Sequence, residues 1–488
     1  MKLPDTPYMG FLDIEADGEG HRAPVTHDER NRGGRHGEKA RGPVHLLVSG
    51  ETGGGKTRRV LGPNILAWGP RPVVAMSSKG DMAELTIRQR AARGPVYLLD
   101  LSQEVRESQL RDVPVTKVSC DPCAVLSTDD EALDLADLLM ETGALGSGDT
   151  GGGGDSGFWK ALARRRLACF LRAAGWYPDP DTGERVWGGG IAWALDACEN
   201  VGPDAAESTG GGVGVSKDGL DHEAAEELDD PDTPTDLRTP NWSTAYLRVL
   251  LLGSRHAGSL LAAREMDQRQ RDSIGINCQV ALSAWAQDQV ATGLPPFHPR
   301  MLEEVGATLY IVSPSNGAGA TPAALTLVQI VNHWRRRVGA LDPILFVLDE
   351  ITNGSPLPAK RLLGWIGEGR GLGIRVCGAV QNTDQFALIW SDAALRVLRN
   401  IMPGILILKG ANEIELLERA VKMVRSQEVV GASTDAGGKA SHSRQRVTPV
   451  DVADLTPQAT GEGRLLLSGM QGVRVSLPDI AALGLVPA

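Results

Sequence analysis

Gly50-Glu51-Thr52-Gly53-Gly54-Gly55-Lys56-Thr57 is a complete G-x-x-x-x-G-K-[ST] stretch, the signature of a phosphate-binding loop. Its glycines let the backbone turn so that successive N–H groups aim at a β-phosphate. Lys56 supplies a point charge for the β- and γ-oxygens, and Thr57 a hydroxyl for Mg²⁺. The apolar run Val44 to Val48 just before it reads as a buried strand. A helix over Lys56 to Leu66 would point its positive end at the same phosphates. The expected nucleotide-binding set is Gly50, Thr52, Gly53, Gly54, Gly55, Lys56, Thr57 and Arg58. ATP and Mg²⁺ are the expected cofactors.

Such a loop needs a partner strand that carries acid. Ile344-Leu345-Phe346-Val347-Leu348-Asp349-Glu350 is an apolar strand ending in two carboxylates, where a Walker B motif belongs. A strand buried in a parallel sheet is continuously apolar, so acids at its C-terminal end sit beside the loop's mouth. Asp349 is expected to hold Mg²⁺ through water, with Thr57 the other metal residue. Glu350 is expected to orient and polarise the attacking water. The plainer alternative is a polar turn after a core strand. Arg370 follows the next helix and Gln381 ends the next apolar run, Ile374 to Val380. In a strand beside Walker B, Gln381 would reach the γ-phosphate and sense it. Arg370 could neutralise transition-state charge, from its own subunit or from a neighbour. Lys79-Gly80-Asp81 reads equally as a cleft residue cluster or a plain turn.

Strand–helix alternation extends outward from both motifs, first over Val44 to Ala124 and again from Thr308 onward. That pattern implies right-handed βαβ units on a parallel sheet. Between them, helical periodicity prevails and convincing strands are absent. The expected fold is α/β: a RecA-like P-loop nucleotide-binding domain over 42–124 and 300–488, interrupted by an all-α domain over 125–299. Residues 1–41 are polar, without apolar periodicity, and read as a mobile arm. Thr209 to Pro240 reads as disordered and Ser426 to Gln445 as a loop.

Composition limits the partners. The net charge is −11, so bulk charge does not advertise a nucleic-acid binder, although Arg22 to Arg41 is locally basic. The runs Arg164 to Arg166 and Arg335 to Arg337 each span less than one helical turn, so their members face different ways. Six cysteines in 488 residues do not make a disulfide framework, and Cys120-x-x-Cys123 has no second pair or nearby His to complete a zinc site. No run of 18 apolar residues exists, so a cytoplasmic protein is expected, peripheral at most to the inner face of the cell membrane.

Taken in order, these stretches resemble the type IV coupling proteins, the conjugative DNA-transfer ATPases of the VirD4, TraG and TraD group. The resemblance is carried by Gly50 to Thr57 with Pro63-Asn64-Ile65-Leu66, by Lys79-Gly80-Asp81, by Val96 to Asp100 and by Phe158-Trp159. Thr308 to Pro314, Leu348-Asp349-Glu350, Gly369 to Ile374, and Gln381 with Gln385 complete it. It covers roughly Val44 to Pro478. It implies a hexameric ATPase ring that moves single-stranded DNA, with attached relaxase, into a type IV secretion channel. It also implies catalytic roles for Lys56, Glu350, Arg370 and Gln381 and metal roles for Thr57 and Asp349. The family usually begins with transmembrane helices and often has an acid before the Lys-Gly pair, where this chain has Ser77-Ser78. A separate membrane anchor is therefore among the expected partners. The competing readings are a secretion ATPase that handles protein and an ATP-bound scaffold with little turnover.

Overall fold

The computed structural model describes residues 6–12, 44–146, 154–201, 237–288, 290, 293–314, 319–354, 357–423, 427–434, 440–447, 450–467 and 472–486. Two compact units result: Met1–Val118 with Pro299–Ala488, and Ser119–His298. The sequence-based boundaries lie at 124 and 300. The chain leaves the first unit straight after the last short edge strand, whereas the sequence pattern carries that unit a further turn.

The first unit is built on one sheet of 11 strands. In chain order its strands are β1 (Phe11–Leu12), β2 (His45–Ser49), β3 (Val73–Ser77), β4 (Val96–Asp100) and β5 (Thr116–Lys117). Those of the second unit's only hairpin among the described residues are β6 (Trp176–Pro178) and β7 (Arg185–Trp187). Then come β8 (Thr308–Val312), β9 (Ile344–Leu348), β10 (Ile374–Val380) and β11 (Gly404–Leu408). The chain ends with β12 (Gln427–Thr434), β13 (Ala440–Val447), β14 (Glu462–Leu467) and β15 (Val473–Ser476). The sheet order is β1-β15-β14-β11-β2-β10-β9-β3-β8-β4-β5. From β11 to β5 all neighbours are parallel, and β14, β15 and β1 add an antiparallel edge.

The strand sequences explain this arrangement. LLV in β2, ILFVL in β9 and GILIL in β11 are buried along their whole length, as parallel strands covered on both faces must be. Helices Asp81–Ala91, Ala320–Arg336 and Ala359–Glu368 cross from β3 to β4, from β8 to β9 and from β9 to β10. One core joins Leu46 and Val48 of β2, Val60, Leu61 and Ile65 after the phosphate loop, Val347 of β9 and Leu406 of β11.

Part of the expected mobile arm belongs to that core. Met9 is fully buried, and Phe11–Leu12 pair with Val475 and Ser476. Asn64 clips the segment, its Oδ1 accepting from Tyr8 N at 2.6 Å and its Nδ2 donating to Tyr8 O at 3.0 Å. Such a short segment lacks the periodicity that would have revealed it. The remainder of the arm, 1–5 and 13–41, lies outside the described residues. So does most of Thr209 to Pro240. Ser426 to Gln445, read as a loop, contains instead the antiparallel pair β12–β13.

The second unit is helical: Asp129–Gly146, Gly154–Ala174, Gly190–Glu199, Trp242–Leu251, Ala257–Arg264 and Gln268–Leu282. Its ends meet where Ser119 N donates to Pro295 O at 3.0 Å and Phe297 N to Ser119 O at 2.8 Å. The buried Arg248 holds it together, donating to Leu237 O, Ala173 O and Gly188 O at 2.8, 3.0 and 2.6 Å. Its guanidinium also lies over the Trp193 and Tyr177 rings. Cys120 and Cys123 are buried in a turn capped by Asp121, whose carboxylate accepts from Cys123 N and Ile191 N. The basic runs are tied into pairs: Arg164 with Asp137, Arg335 with Glu368, and Arg337 with Glu303. Among the described residues no helix is long and apolar enough to cross a membrane.

Candidate functional site

The site forms where β2, β10 and β9 end side by side. β10 lies between the phosphate-loop strand and the Walker B strand. Val380 pairs with Ser49 and Gly378 with Leu348, so one more residue on each strand brings Gly50, Gln381 and Asp349 to one edge. Backbone bonds fix that register beyond the strands: Gly50 N donates to Val380 O at 3.2 Å, and Asp349 N to Met76 O at 2.8 Å. One intervening strand between the two motifs is the RecA-like order. It gives Gln381 its place.

In the phosphate loop Gly53 and Gly55 have φ of 81° and 92°, values that any other residue would adopt only with strain. A Cβ at Gly53 would meet nothing within 4 Å, whereas one at Gly55 would lie 2.8 Å from Arg59 Cδ. The loop is thus a cradle with an open side. Gly54 N closes it by donating to Glu51 O at 3.0 Å. A π-turn over Thr57–Leu61 leads into the helix Gly62–Ala67. Lys56 is buried, and its Nζ donates to Gly50 O at 2.7 Å. Burial lowers its pKa, while Asp349 and Glu350 nearby oppose that shift. An ammonium held in this way needs an anion more than it needs a carbonyl, which fits a phosphate.

Asp349 lies at the centre of an acidic group. Burial first, and then Asp81 and Glu350, push its carboxyl up to about 6, against the pull of Lys56. Among the described residues no three acids, His or Cys are grouped to hold a metal directly, so Asp349 would be one of the few hard protein oxygens that Mg²⁺ takes beside phosphate and water. Glu350 stands at φ 46°, a left-handed conformation uncommon outside glycine, and its N–H donates to Asp349 Oδ1 at 3.1 Å. Gln381 Nε2 donates to Glu350 Oε1 at 3.2 Å, and its N–H is held by Gln385 Oε1 at 3.1 Å. The acid expected to orient water and the glutamine expected to sense the γ-phosphate are therefore in contact.

Lys56, Asp349, Glu350 and Gln381 converge at this edge, and Thr57 is the next residue of the loop; two other expected residues do not join them with their side chains. The Arg58 guanidinium is bidentate to Asp479, at 2.8 and 2.7 Å, and holds that carboxyl down at about 2. Any part of Arg58 in nucleotide binding falls to its backbone. Arg370 is exposed in the turn before Ile374, at the opposite end of β10. Seven residues of strand separate it from Gln381, about 23 Å at ~3.3 Å each. Arg370 and Gln381 thus stand at opposite ends of one strand. Asp81, which the sequence left open between a cleft residue and a plain turn, adds to the acidic field on Asp349.

The fold and this edge define a P-loop nucleotide-binding protein of RecA-like architecture. Two family models match: "Type IV secretory system Conjugative DNA transfer" over residues 17–174, and "TraM recognition site of TraD and TraG" over residues 343–457. The chain belongs to the type IV coupling proteins of conjugative DNA transfer. Solved structures of the plasmid coupling protein TrwB share its fold. The complex with the GTP analogue GDPNP has a TM-score of 0.56 at 15% identity, covering 98% of this chain and 96% of that one. The complex with ADP and Mg²⁺ has a TM-score of 0.53 at 15% identity, covering 98% and 97%. No curated protein matches the chain.

Proposed function

We propose that this chain is an ATP-hydrolysing motor that recruits single-stranded DNA, with its attached relaxase, and passes it to a type IV secretion channel. The observation that carries the reading is the meeting of Lys56, Asp349, Glu350 and Gln381 at the ends of three adjacent strands. ATP and Mg²⁺ are the expected ligands, in keeping with the ADP and Mg²⁺ of the TrwB complex.

The division of labour follows from position. Backbone N–H groups of Gly53 to Thr57 cradle the β-phosphate, and Lys56 leaves the Gly50 carbonyl for the β- and γ-oxygens. Thr57 and Asp349 would hold Mg²⁺, which when bound neutralises phosphate charge. Glu350 orients the attacking water and accepts its proton, and Gln381 links that acid to the γ-phosphate position. Arg370 completes a neighbour's site, which requires a ring, and a hexamer is the expected size. DNA contacts are local on a chain of net charge −11, and docking on a channel or a separate anchor protein places the ring at the inner face of the membrane.

The test is the ATPase rate with and without single-stranded DNA, alongside particle size. Hydrolysis that rises with DNA and protein concentration, with the DNA effect fading as salt rises, is expected. A rate indifferent to DNA and salt points instead to protein handling, and negligible turnover to a scaffold.

A further inference from the structure

A buried carboxylate outside every motif ties the site's two halves together. Glu413 lies in the turn after β11, and its side chain is fully buried. Its Oε1 accepts from Ser49 Oγ at 2.6 Å and from Thr383 N at 2.6 Å, and its Oε2 from Thr383 Oγ1 at 2.7 Å. Arg399 Nη2 stands 3.7 Å from Oε2 and itself donates to Thr383 Oγ1 at 2.7 Å. Ser49 is the last residue of β2, directly before Gly50, and Thr383 stands two residues after Gln381. The same Ser49 hydroxyl lies 3.3 Å from Gln381 O.

This carboxylate therefore bonds the chain just before the phosphate loop and just after the sensor glutamine. Gln385 fixes Gln381 from its N–H side, and the Glu413 group fixes Thr383 on its C-terminal side. Burying a charged carboxylate is costly unless its oxygens are fully hydrogen-bonded. Here the bonds converge on the ends of β2 and β10, the strands that lead into the phosphate loop and into Gln381. We propose that Glu413 is a positioning residue for hydrolysis: it holds Gln381 in register with the phosphate loop without touching the nucleotide. The proposal rests on the reading that the chain hydrolyses ATP.

The experiment compares wild type, Glu413→Ala, Glu413→Gln, Gln381→Ala and the Glu413→Ala/Gln381→Ala double variant, all in the full chain. Steady-state hydrolysis and binding of a non-hydrolysable ATP analogue are measured for each. Misplacement of a reacting constellation costs on the order of a hundredfold, so Glu413→Ala should lower kcat by about that factor. Analogue affinity should stay within about threefold of wild type, since the loop's own contacts remain. Glu413→Gln keeps an oxygen for Ser49 Oγ and Thr383 N and should recover part of the loss. The double variant should be within about twofold of Gln381→Ala alone, because both changes remove one function. Should Glu413→Ala fail to fold, Ser49→Ala deletes one arm of the network and should show a smaller fall in kcat, again not multiplying with Gln381→Ala. A normal kcat in Glu413→Ala, an affinity loss as large as the kcat loss, or losses that multiply with Gln381→Ala would overturn the proposal. Wild-type hydrolysis no faster than Lys56→Ala would overturn it together with the ATPase reading, whereas active wild type with unaffected Glu413 and Ser49 variants would overturn the proposal alone.

Discussion

The two ends of β10 sit in opposite surroundings. At its C-terminal end, Gln381 meets Glu350 and lies beside Lys56, Asp349 and the Glu413 network. At its N-terminal end, Gly369 and Arg370 form a turn held by Arg375, whose Nη1 donates to Gly369 O and Arg370 O, each at 3.4 Å. His45, fully buried at the start of β2, lies under that turn and accepts from Val376 N at 3.2 Å through Nδ1. A Cβ on Gly369 would come within 2.8 Å of the His45 ring. One edge is crowded with charge that only a bound ligand would balance. The other is a rigid turn that presents an exposed arginine. Residues eleven apart in sequence thus stand at opposite ends of one strand, and on the proposed reading they serve one reaction where two copies of the chain meet.

The largest effect belongs to the first edge. Lys56→Ala should reduce hydrolysis to background and weaken ATP binding. Near-normal turnover in the purified variant would remove Lys56, and the cradle with it, from the site.

Arg370→Ala should reach the same chemistry from the other edge. The DNA-stimulated rate should fall by about a thousandfold, as when an arginine finger is lost, while ATP binding is little changed. Subunit mixing sharpens the contrast. A Lys56→Ala chain still offers Arg370, and an Arg370→Ala chain still offers an intact loop. Mixed rings should therefore regain part of the activity that each variant lacks. Mixtures as inactive as their parts would show that Arg370 does not act across the interface.

Glu350→Gln should still bind ATP but hydrolyse it about a hundredfold more slowly, the usual contribution of a general base. Asp349→Asn should mainly raise the Mg²⁺ concentration needed for binding. Identical mild defects in the two variants would erase the assigned division between water and metal.

The smallest effect is on stability and belongs to His45. Burial, then Arg375, lowers its pKa to about 4 from 6.5. Its folded value lies below its unfolded one, so its contribution is fully present above pH 6.5. As pH falls through that window the unfolded chain takes up a proton that the folded chain refuses. The loss is complete below about pH 4 and amounts to about 3 kcal/mol. In urea unfolding between pH 7 and 4, His45→Gln should therefore lose less stability than wild type. Parallel pH slopes would show that His45 is not neutral under the turn.

The nucleotide site was legible wherever a short stretch of sequence carries its own chemistry. Gly50 to Thr57 specify a phosphate loop by backbone freedom and charge, and Ile344 to Glu350 specify an acid at a buried strand end by continuous apolarity. Both patterns are local, and each survives in any α/β sheet that contains it. The helical character of the middle segment was legible for the same reason. Three features depended on the fold itself. The short Met9 to Leu12 segment and the polar β12–β13 pair have no apolar period to reveal them, and only their partners in space define them. Gln381 reaches Glu350 because β10 falls between β2 and β9, a strand order that no single strand encodes. Arg370 lies at the far end of that same strand from Gln381. Glu413 acquires its place from Ser49 and Thr383, 364 and 30 residues away. Sequence determined the chemistry because glycine, lysine and carboxylate act through their own bonds and charges. Tertiary structure decided the geometry because distance between side chains is set by strand order and register.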